Sequence, residues 1–375
     1  MGARSEHAQL AQAGYEALQR GDAVAARDAF ERVAAAGVAT SQLWLLLAQA
    51  RAGSGAERSA VAESLDRVLA AEPRHRQALV LSGDYAEDDR AACSFYGMAL
   101  ANASEAERAQ PLLRAAQERL AAASRRFADH LRAEVATVDA GPRFTEALAL
   151  VTGEKQLYLQ QPTSFFFPGL PHRQFFDAAE FDWAPALVAA APAIRAELEG
   201  LIASGSGSAP YVQADPTRAS RGHALLNNPR WSAFHLLENG VPHPANAPRC
   251  PATLAALAAA PLPHIAKRSP MALFSVLRAH THIPAHNGML NTRLIVHLPL
   301  IVPERCRLRV GNEERAVRAG ELMIFDDSIE HEAWNDSDEA RVVLLFEVWR
   351  PELTATERAG LTTLFGAVGL YDGGQ

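Results

Sequence analysis

Five of the chain's 13 histidines fall between Ser275 and Arg341, on short apolar runs separated by turn residues, and no other feature limits the fold as tightly. The stretch reads S-V-L-R-A-H-T-H-I-P-A-H-N-G-M-L-N-T-R-L-I-V-H-L-P-L. After a short hairpin come G-E-L-M-I-F-D-D-S-I-E-H-E-A-W-N and R-V-V-L-L-F-E-V-W. Such runs predict strands over 272–278, 292–300, 306–310, 314–318, 321–326 and 341–349. Gly311-Asn312 and Ala319-Gly320 punctuate them as tight turns. Many short antiparallel strands around an enclosed interior predict a jelly-roll or cupin-like barrel. His280, His282, His286, His297 and His331 lie on it, and strand histidines that face an enclosed core can hold a transition metal.

At 375 residues the chain is long for one compact domain, and two are expected. Residues 1–138 are Ala-rich and helical. Within them Gly14, Ala26, Phe30 and Val33 fit the helix-pair spacing of a tetratricopeptide repeat, whose period is about 34 residues. Trp44, Leu47, Ala48 and, one residue late, Pro73 supply a second repeat, and a third begins near His75 with Leu81 and Tyr85. Small residues let the two helices of a pair approach, large ones fill the groove, and stacked pairs bury the apolar faces. An irregular Ala/Leu bundle is the alternative. Either version is a binding or assembly surface with room for a protein partner. Residues 104–137 add capping helices, and the breakers Asp139-Ala140-Gly141-Pro142 mark a boundary.

The second domain is expected over 143–360. Its first part is aromatic, with Pro168-Gly169 as a turn after the S-F-F-F run and a helix over 184–202. Residues 209–250 are rich in Pro, Asn and Gly and read as long irregular walls of a binding site, with Tyr211, Trp231 and Phe234 as isolated aromatics. Trp231 is therefore a candidate substrate contact. A helix over 252–259 leads into the strands, and a short helix capped by Thr354 or Thr356 closes the domain before a loose D-G-G-Q tail.

A net charge of −7 and a pI near 6.0 argue against nucleic acid or an anionic membrane as the main partner. Cys93, Cys250 and Cys306 are odd in number and far apart, so they predict neither a disulfide framework nor a zinc motif. The N-terminus has no apolar signal core, and no run approaches the ~18 apolar residues of a membrane span. A cytoplasmic location is expected.

For chemistry, His286 and His331 fall on different strands. A mononuclear iron(II) site commonly takes two histidines and a carboxylate on one face of the metal. The carboxylate usually follows the first histidine by two residues, and here that residue is Gly288. On their own the two histidines could equally be buried, hydrogen-bonded core residues. Arg341 opens an apolar strand, where a guanidinium is costly unless paired. Its fork matches a carboxylate, so near iron it would grip the distal carboxylate of 2-oxoglutarate, with Ser275 adding a hydroxyl. Arg293, Ile295 and His297 share one strand face. His297 is a candidate for the metal-bound end of the co-substrate. Arg293 would either hold an acidic substrate or form a salt bridge on the barrel rim. His280 and His282 read as structural or rim residues, and Asp326 and Glu332 as turn and surface carboxylates.

The segments F-F-F-P-G-L-P at 165–171, H-T-H-I-P-A-H-N-G-M-L-N-T-R-L at 280–294, H-L-P-L-I-V-P at 297–303, C-R-L-R-V-G at 306–311, F-D-D-S-I-E-H-E-A-W-N at 325–335 and E-V-W-R-P-E-L at 347–353 together resemble the aspartyl/asparaginyl β-hydroxylases. The resemblance covers about 144–357, and the helical repeats resemble those some members carry. It implies a double-stranded β-helix oxygenase that uses Fe(II), 2-oxoglutarate and O2. It also implies a site in which the usual carboxylate ligand is absent and two histidines hold the iron. His286 and His331 carry over as metal ligands, and Ser275, His297 and Arg341 as co-substrate contacts. Asp327, four residues before His331, then stands in for the missing carboxylate at one remove, through a water on the metal. Residues 209–250 match the family poorly, so its substrate contacts do not carry over. The implied substrate is an Asp or Asn side chain of a peptide or protein, or a small molecule bearing a carboxylate or amide. A lipid or metabolite hydroxylase and a non-catalytic repeat adaptor with a degenerate barrel are the alternatives.

Overall fold

A computed structural model describes residues 2–101, 103–205, 207–214 and 224–372. They form two compact units, one up to Lys155 and one from Gln156. The first holds helices α1 (Gly2–Gln19), α2 (Ala23–Ala35), α3 (Ser41–Gly53), α4 (Arg58–Ala71), α5 (Arg76–Asp84), α6 (Asp89–Leu100), α7 (Glu105–Arg108), α8 (Pro111–Glu134) and α9 (Pro142–Val151).

The helix starts are written locally. Asp22, Thr40 and Asp88 each accept a hydrogen bond from the backbone N–H three residues on, which satisfies one of the unpaired donors of a first turn. The pairs stack through successive clusters. Ala17, Ala26, Phe30 and Leu47 join the first three helices; Leu45, Val61, Leu65 and Ala78 join the next; Leu79, Tyr96, Leu113 and Ala116 join α5, α6 and α8. The expected small–large pairing recurs: Gly14 lies against the Phe30 ring and Gly83 against the Tyr96 ring. The array is tetratricopeptide-like.

The division lies after Lys155, not at 138/143. Gly141, at φ 79°, and Pro142, in the first turn of α9, start a further helix instead of a linker. Arg132 pairs with Glu154, and Lys155 reaches Glu146 at 3.6 Å, both within the first unit.

The second unit runs β1 (Phe175–Phe176), α10 (Ala184–Ala189), α11 (Ala191–Ala203), β2 (Ala209–Pro210), β3 (Trp231–Glu238), β4 (Val241–Pro242), α12 (Pro251–Leu257), β5 (Ala272–Leu277), β6 (Thr281–His286), β7 (Arg293–Ile301), β8 (Cys306–Val310), β9 (Glu313–Ala316), β10 (Met323–Phe325), β11 (His331–Asn335), β12 (Arg341–Trp349) and α13 (Ala355–Asp372). The larger sheet has the order β1-β10-β7-β12-β5-β3-β2, with β4 on β3, and the smaller has the order β6-β11-β8-β9. Their pairings are antiparallel, and the two sheets face each other as a double-stranded β-helix.

Strand alternation sorts the residues. On β12, Val342, Leu344, Phe346 and Val348 join the cluster with Trp183, Leu187, Ile194 and Leu198 of the helical layer, while Val343 and Leu345 join the barrel interior. Both faces are covered, which is why β7 and β12 read as almost unbroken apolar runs. The odd-numbered face of β12 also carries Arg341 and Glu347, and that of β7 carries Arg293, Ile295 and His297.

Several local expectations change. Trp231–Glu238 is a strand of the larger sheet, although 209–250 reads as irregular; its own residues W-S-A-F-H-L-L-E are strand-like, and Asn239-Gly240 turns it into β4. The helix over 184–202 breaks at Ala190, where Pro192 begins a second one. The closing helix continues to Asp372; Thr354 caps it in a reciprocal pair with Glu357, and Leu361 and Phe365 pack on Phe165, Leu290 and Trp349. Residues 373–375 of the expected tail lie outside the described residues. Gly311, at φ 56°, makes the two-residue hairpin with Asn312 as expected.

Two glycine substitutions should have opposite signs. A Cβ on Gly83 would lie 2.4 Å from the Tyr96 ring, so Gly83→Ala should destabilise the first unit by about 1–3 kcal/mol. Gly97, on α6, has nothing within 4 Å, so Gly97→Ala should stabilise it by about 0.5–1 kcal/mol. Urea unfolding of both variants checks this.

Candidate active site

The register of β6 against β11 places His286 opposite His331. Their ring centroids are 4.1 Å apart. Nδ1 of His286 faces the Pro284 carbonyl at 2.8 Å, and Nδ1 of His331 faces the Ile329 carbonyl at 3.1 Å. A carbonyl only accepts, so each Nδ1 carries the proton and each Nε2 the lone pair that a metal uses. Burial pushes the His331 imidazole down to about 4, so the ring is neutral at pH 7.

Gly288, two residues beyond His286, meets the residue expected to compensate for it. Its N–H donates to the Asp327 carbonyl at 2.6 Å. A Cβ at position 288 would stand 2.1 Å from Asp327 Oδ2. The Asp327 carboxylate therefore fills the space a side chain at 288 would occupy. It is buried, and Oδ1 has no hydrogen-bond partner. Burial raises its pKa above the ordinary carboxylate value and the Arg293 charge opposes that shift. Among the described residues no group of three or more His, Cys, Asp or Glu could hold a metal.

Arg341 lies inside the barrel, 1% exposed, and its Nε and Nη1 have no partner. Burial lowers it to about 10, which leaves it charged at neutral pH. The expectation that such an arginine must be paired is met by no carboxylate among the described residues, so the guanidinium could take an anionic ligand. His297, from the neighbouring strand, is buried edge-on to Phe325 at 5.1 Å with Nδ1 unpartnered; burial first and the Arg341 charge second hold it well below the usual imidazole value. Ser275 accepts a hydrogen bond from Trp231 Nε1 at 3.1 Å, and Tyr211 stacks on the Trp231 ring at 4.1 Å.

Arg293 is neither free nor on a rim salt bridge. Its Nη1 pairs with Glu347, which is fully buried, and its Nη2 lies 3.8 Å from Asp327 Oδ2. Glu347 also accepts from Ser269 Oγ at 2.6 Å and from the Met271 N–H at 3.0 Å.

Trp231, Ser275, His286, Arg293, His297, Asp327, His331 and Arg341 all line one cavity of about 780 Å³. The remaining histidines of the opening stretch point elsewhere. His280 pairs with Asp338 at 2.8 Å on the surface, and His282 stacks on Trp334 and pairs with Glu332 at 2.9 Å. Glu347 was legible by the logic that singled out Arg341, a charge inside an apolar strand. Asp326, expected at a turn or surface, is instead fully buried against Arg350 at 2.5 Å, a partner 24 positions away that local pattern does not reveal.

Two outcomes follow. Gly288→Ala should weaken divalent-metal binding by at least roughly tenfold, because its Cβ displaces Asp327; adding Asp327→Ala should relieve the clash without restoring affinity. Titration calorimetry of the folded variants checks both. The unfolded chain protonates His331 near its ordinary value of 6.5, and the fold does so only at about 4, so this residue contributes stability that is lost as pH falls from 6.5 toward 4. Metal-free His331→Asn should therefore show a shallower fall in melting temperature over that window than wild type.

A family model of aspartyl/asparaginyl beta-hydroxylase matches residues 189–351. Among curated proteins, the ornithine lipid ester-linked acyl 2-hydroxylase of Rhizobium tropici is 38% identical over 47% of this chain and 60% of its own length. The aspartyl/asparaginyl beta-hydroxylase of Mus musculus is 32% identical over 44% of this chain and 22% of its own. The aspartate beta-hydroxylase domain-containing protein 2 of Homo sapiens is 31% identical over 55% of each. The chain thus spans between about a fifth and three fifths of the length of these relatives. Through residues 189–351 the chain is thus similar to the aspartyl/asparaginyl beta-hydroxylase family.

Proposed function

We propose that the barrel is an Fe(II)- and 2-oxoglutarate-dependent dioxygenase that hydroxylates an unactivated carbon. The observation that carries this reading is the buried Arg341 guanidinium, with Nε and Nη1 unpartnered, in the same cavity as the facing His286 and His331 rings. The donor set fits the two groups it would hold. Neutral imidazoles suit iron(II), and a preformed cation fork suits a carboxylate. When bound, iron and 2-oxoglutarate would supply the oxidising power, one oxygen atom of O2 ending in succinate as 2-oxoglutarate loses CO2 and the other in the hydroxyl of the product.

The chain's own residues do the rest. His286 and His331 hold the metal. Arg341 grips the distal carboxylate of the co-substrate and the Ser275 hydroxyl, oriented by Trp231, adds to that grip. His297 donates toward the co-substrate's inner end. Asp327 accepts a hydrogen bond beside the metal, and Arg293 keeps it oriented. The walls Ile295, Leu345 and Phe325 keep water from the reacting carbon.

The substrate we favour is the β-carbon of Asp or Asn in a peptide or protein, as the mouse relative's name supports. A second reading, an acyl chain of a lipid or a small metabolite, is supported by the Rhizobium relative and by the engagement of Arg293 with Glu347, which leaves less positive charge for an acidic substrate. We further propose a protein partner for the helical array and a cytoplasmic location; the three free cysteines support the latter.

Anaerobic titration of the protein with Fe(II) and 2-oxoglutarate should produce a weak visible charge-transfer band, and air should then release succinate. Arg341→Ala should keep the metal but raise the KM for 2-oxoglutarate by roughly 30-fold, the equivalent of about 2 kcal/mol. No band and no succinate would favour a non-catalytic adaptor. An unchanged KM would remove Arg341 from the co-substrate site.

A further inference from the structure

Asp326, next to Asp327, centres a second polar cluster whose members are neither metal nor co-substrate contacts in the site described above. Asp326 and Arg350 are both 0% exposed. Asp326 Oδ2 accepts from Arg350 Nη1 at 2.5 Å and from Gln160 Nε2 at 2.6 Å. Its Oδ1 accepts from the Ser328 N–H at 3.0 Å and the Ser328 hydroxyl at 2.6 Å. Asn291 Nδ2 donates to Gln160 Oε1 at 3.0 Å and to the Phe167 carbonyl at 2.9 Å. Arg350 and Gln160 both donate to the Pro171 carbonyl, at 2.9 and 3.0 Å.

The cluster ties together four stretches of chain that are distant in sequence: 160–171, 287–292, 326–328 and 350–352. Backbone bonds at its edge reach the metal site. The Gln161 N–H and Asn287 Nδ2 both donate to the Ser328 carbonyl, at 2.8 and 2.9 Å. Gly288 is held from both sides, its N–H on the Asp327 carbonyl at 2.6 Å and its carbonyl on the Thr163 N–H at 2.9 Å.

A buried ion pair is a poor source of net stability, because desolvation costs several kcal/mol per ion and often offsets the attraction. What this one does is fix where two loops meet. We infer that Asp326 and Arg350 are positioning residues, which hold the Gly288 loop against Asp327 so that the Asp327 carboxylate stays where a third ligand side chain would be. The two-histidine site then binds metal more tightly because the side closed by Asp327 is built in advance. This rests on the reading that His286 and His331 bind metal. Outer partners of metal sites typically contribute 10- to 100-fold in affinity, and that is the size expected here.

The test is titration of metal-free full-length protein with Mn(II), alongside its melting curve. The double variant Asp326→Asn with Arg350→Met removes both buried charges and, because it also takes Arg350 from Glu352 and from the Pro171 carbonyl, should melt somewhat below wild type while remaining folded at the temperature of the titration. Its Mn(II) dissociation constant should nonetheless rise about 10- to 100-fold. A purely structural role would lower the melting temperature and leave the affinity of the folded protein unchanged, and that result overturns the inference. Ser328→Ala, which removes one hydrogen bond to Asp326, keeps the test open if the double variant does not fold. It should weaken Mn(II) binding several-fold, and wild-type affinity would refute the positioning role. Wild-type protein that binds no Mn(II) or Fe(II) would instead remove the metal reading, and this inference with it.

Discussion

The site depends on one cross-strand pair, His286 opposite His331, where β6 runs antiparallel to β11. Directly opposed residues on adjacent strands bring side chains within reach of one ion. The register shift between His331 and Ala333 lets β11 change its pairing with β6 just beyond this pair, while its pairing with β8 continues without interruption. A one-residue slip of β6 would turn His286 away from the cavity, so pairing register and the proposed metal site are a single constraint.

Around that pair the barrel arranges charge in layers that alternation dictates. Arg341 and Glu347 come from the same face of β12, at opposite ends of the strand. Arg341 is left without protein partners on Nε and Nη1, whereas Glu347 takes Arg293 from β7, which in turn faces Asp327. The larger sheet can bear these charges because its other face is closed by the apolar layer of α10, α11 and α12. One end of the cavity thus offers an unsatisfied cation, and the other a self-contained carboxylate–guanidinium–carboxylate row. That asymmetry suits a small anionic co-substrate at one end and a less charged group at the other.

Much of this was legible in the sequence because it obeys short periods. Strands β5, β7, β8 and β12, the Gly311-Asn312 hairpin, and the helix pairs with Gly14–Phe30 spacing follow from alternation, turn chemistry and repeat period. Arg341 stood out because a charge inside an apolar strand requires an explanation. The misses were non-local. Trp231–Glu238 was obscured by the Pro, Asn and Gly that flank it, and its place in the larger sheet comes from β5, whose residues follow it after a long interval. F-D-D-S reads as a turn, and nothing near Asp326 announces that Arg350, Gln160 and Asn291 will converge on it. The significance of Gly288 was half legible. Its lack of a ligand side chain and Asp327 as the stand-in were both within reach of the sequence, but that the Asp327 carboxylate occupies the space of a side chain at 288 needs three dimensions to see.

The central claim is a metal centre with two histidine ligands and no protein carboxylate. X-ray absorption at the iron edge of the anaerobic, Fe(II)-loaded protein tests it most directly. Scattering from two imidazoles is expected, with the remaining ligands light oxygen atoms and a pattern unchanged in Asp327→Asn apart from small shifts in those oxygen distances. A third imidazole, as from His297, or the loss of one oxygen ligand in Asp327→Asn, would contradict it.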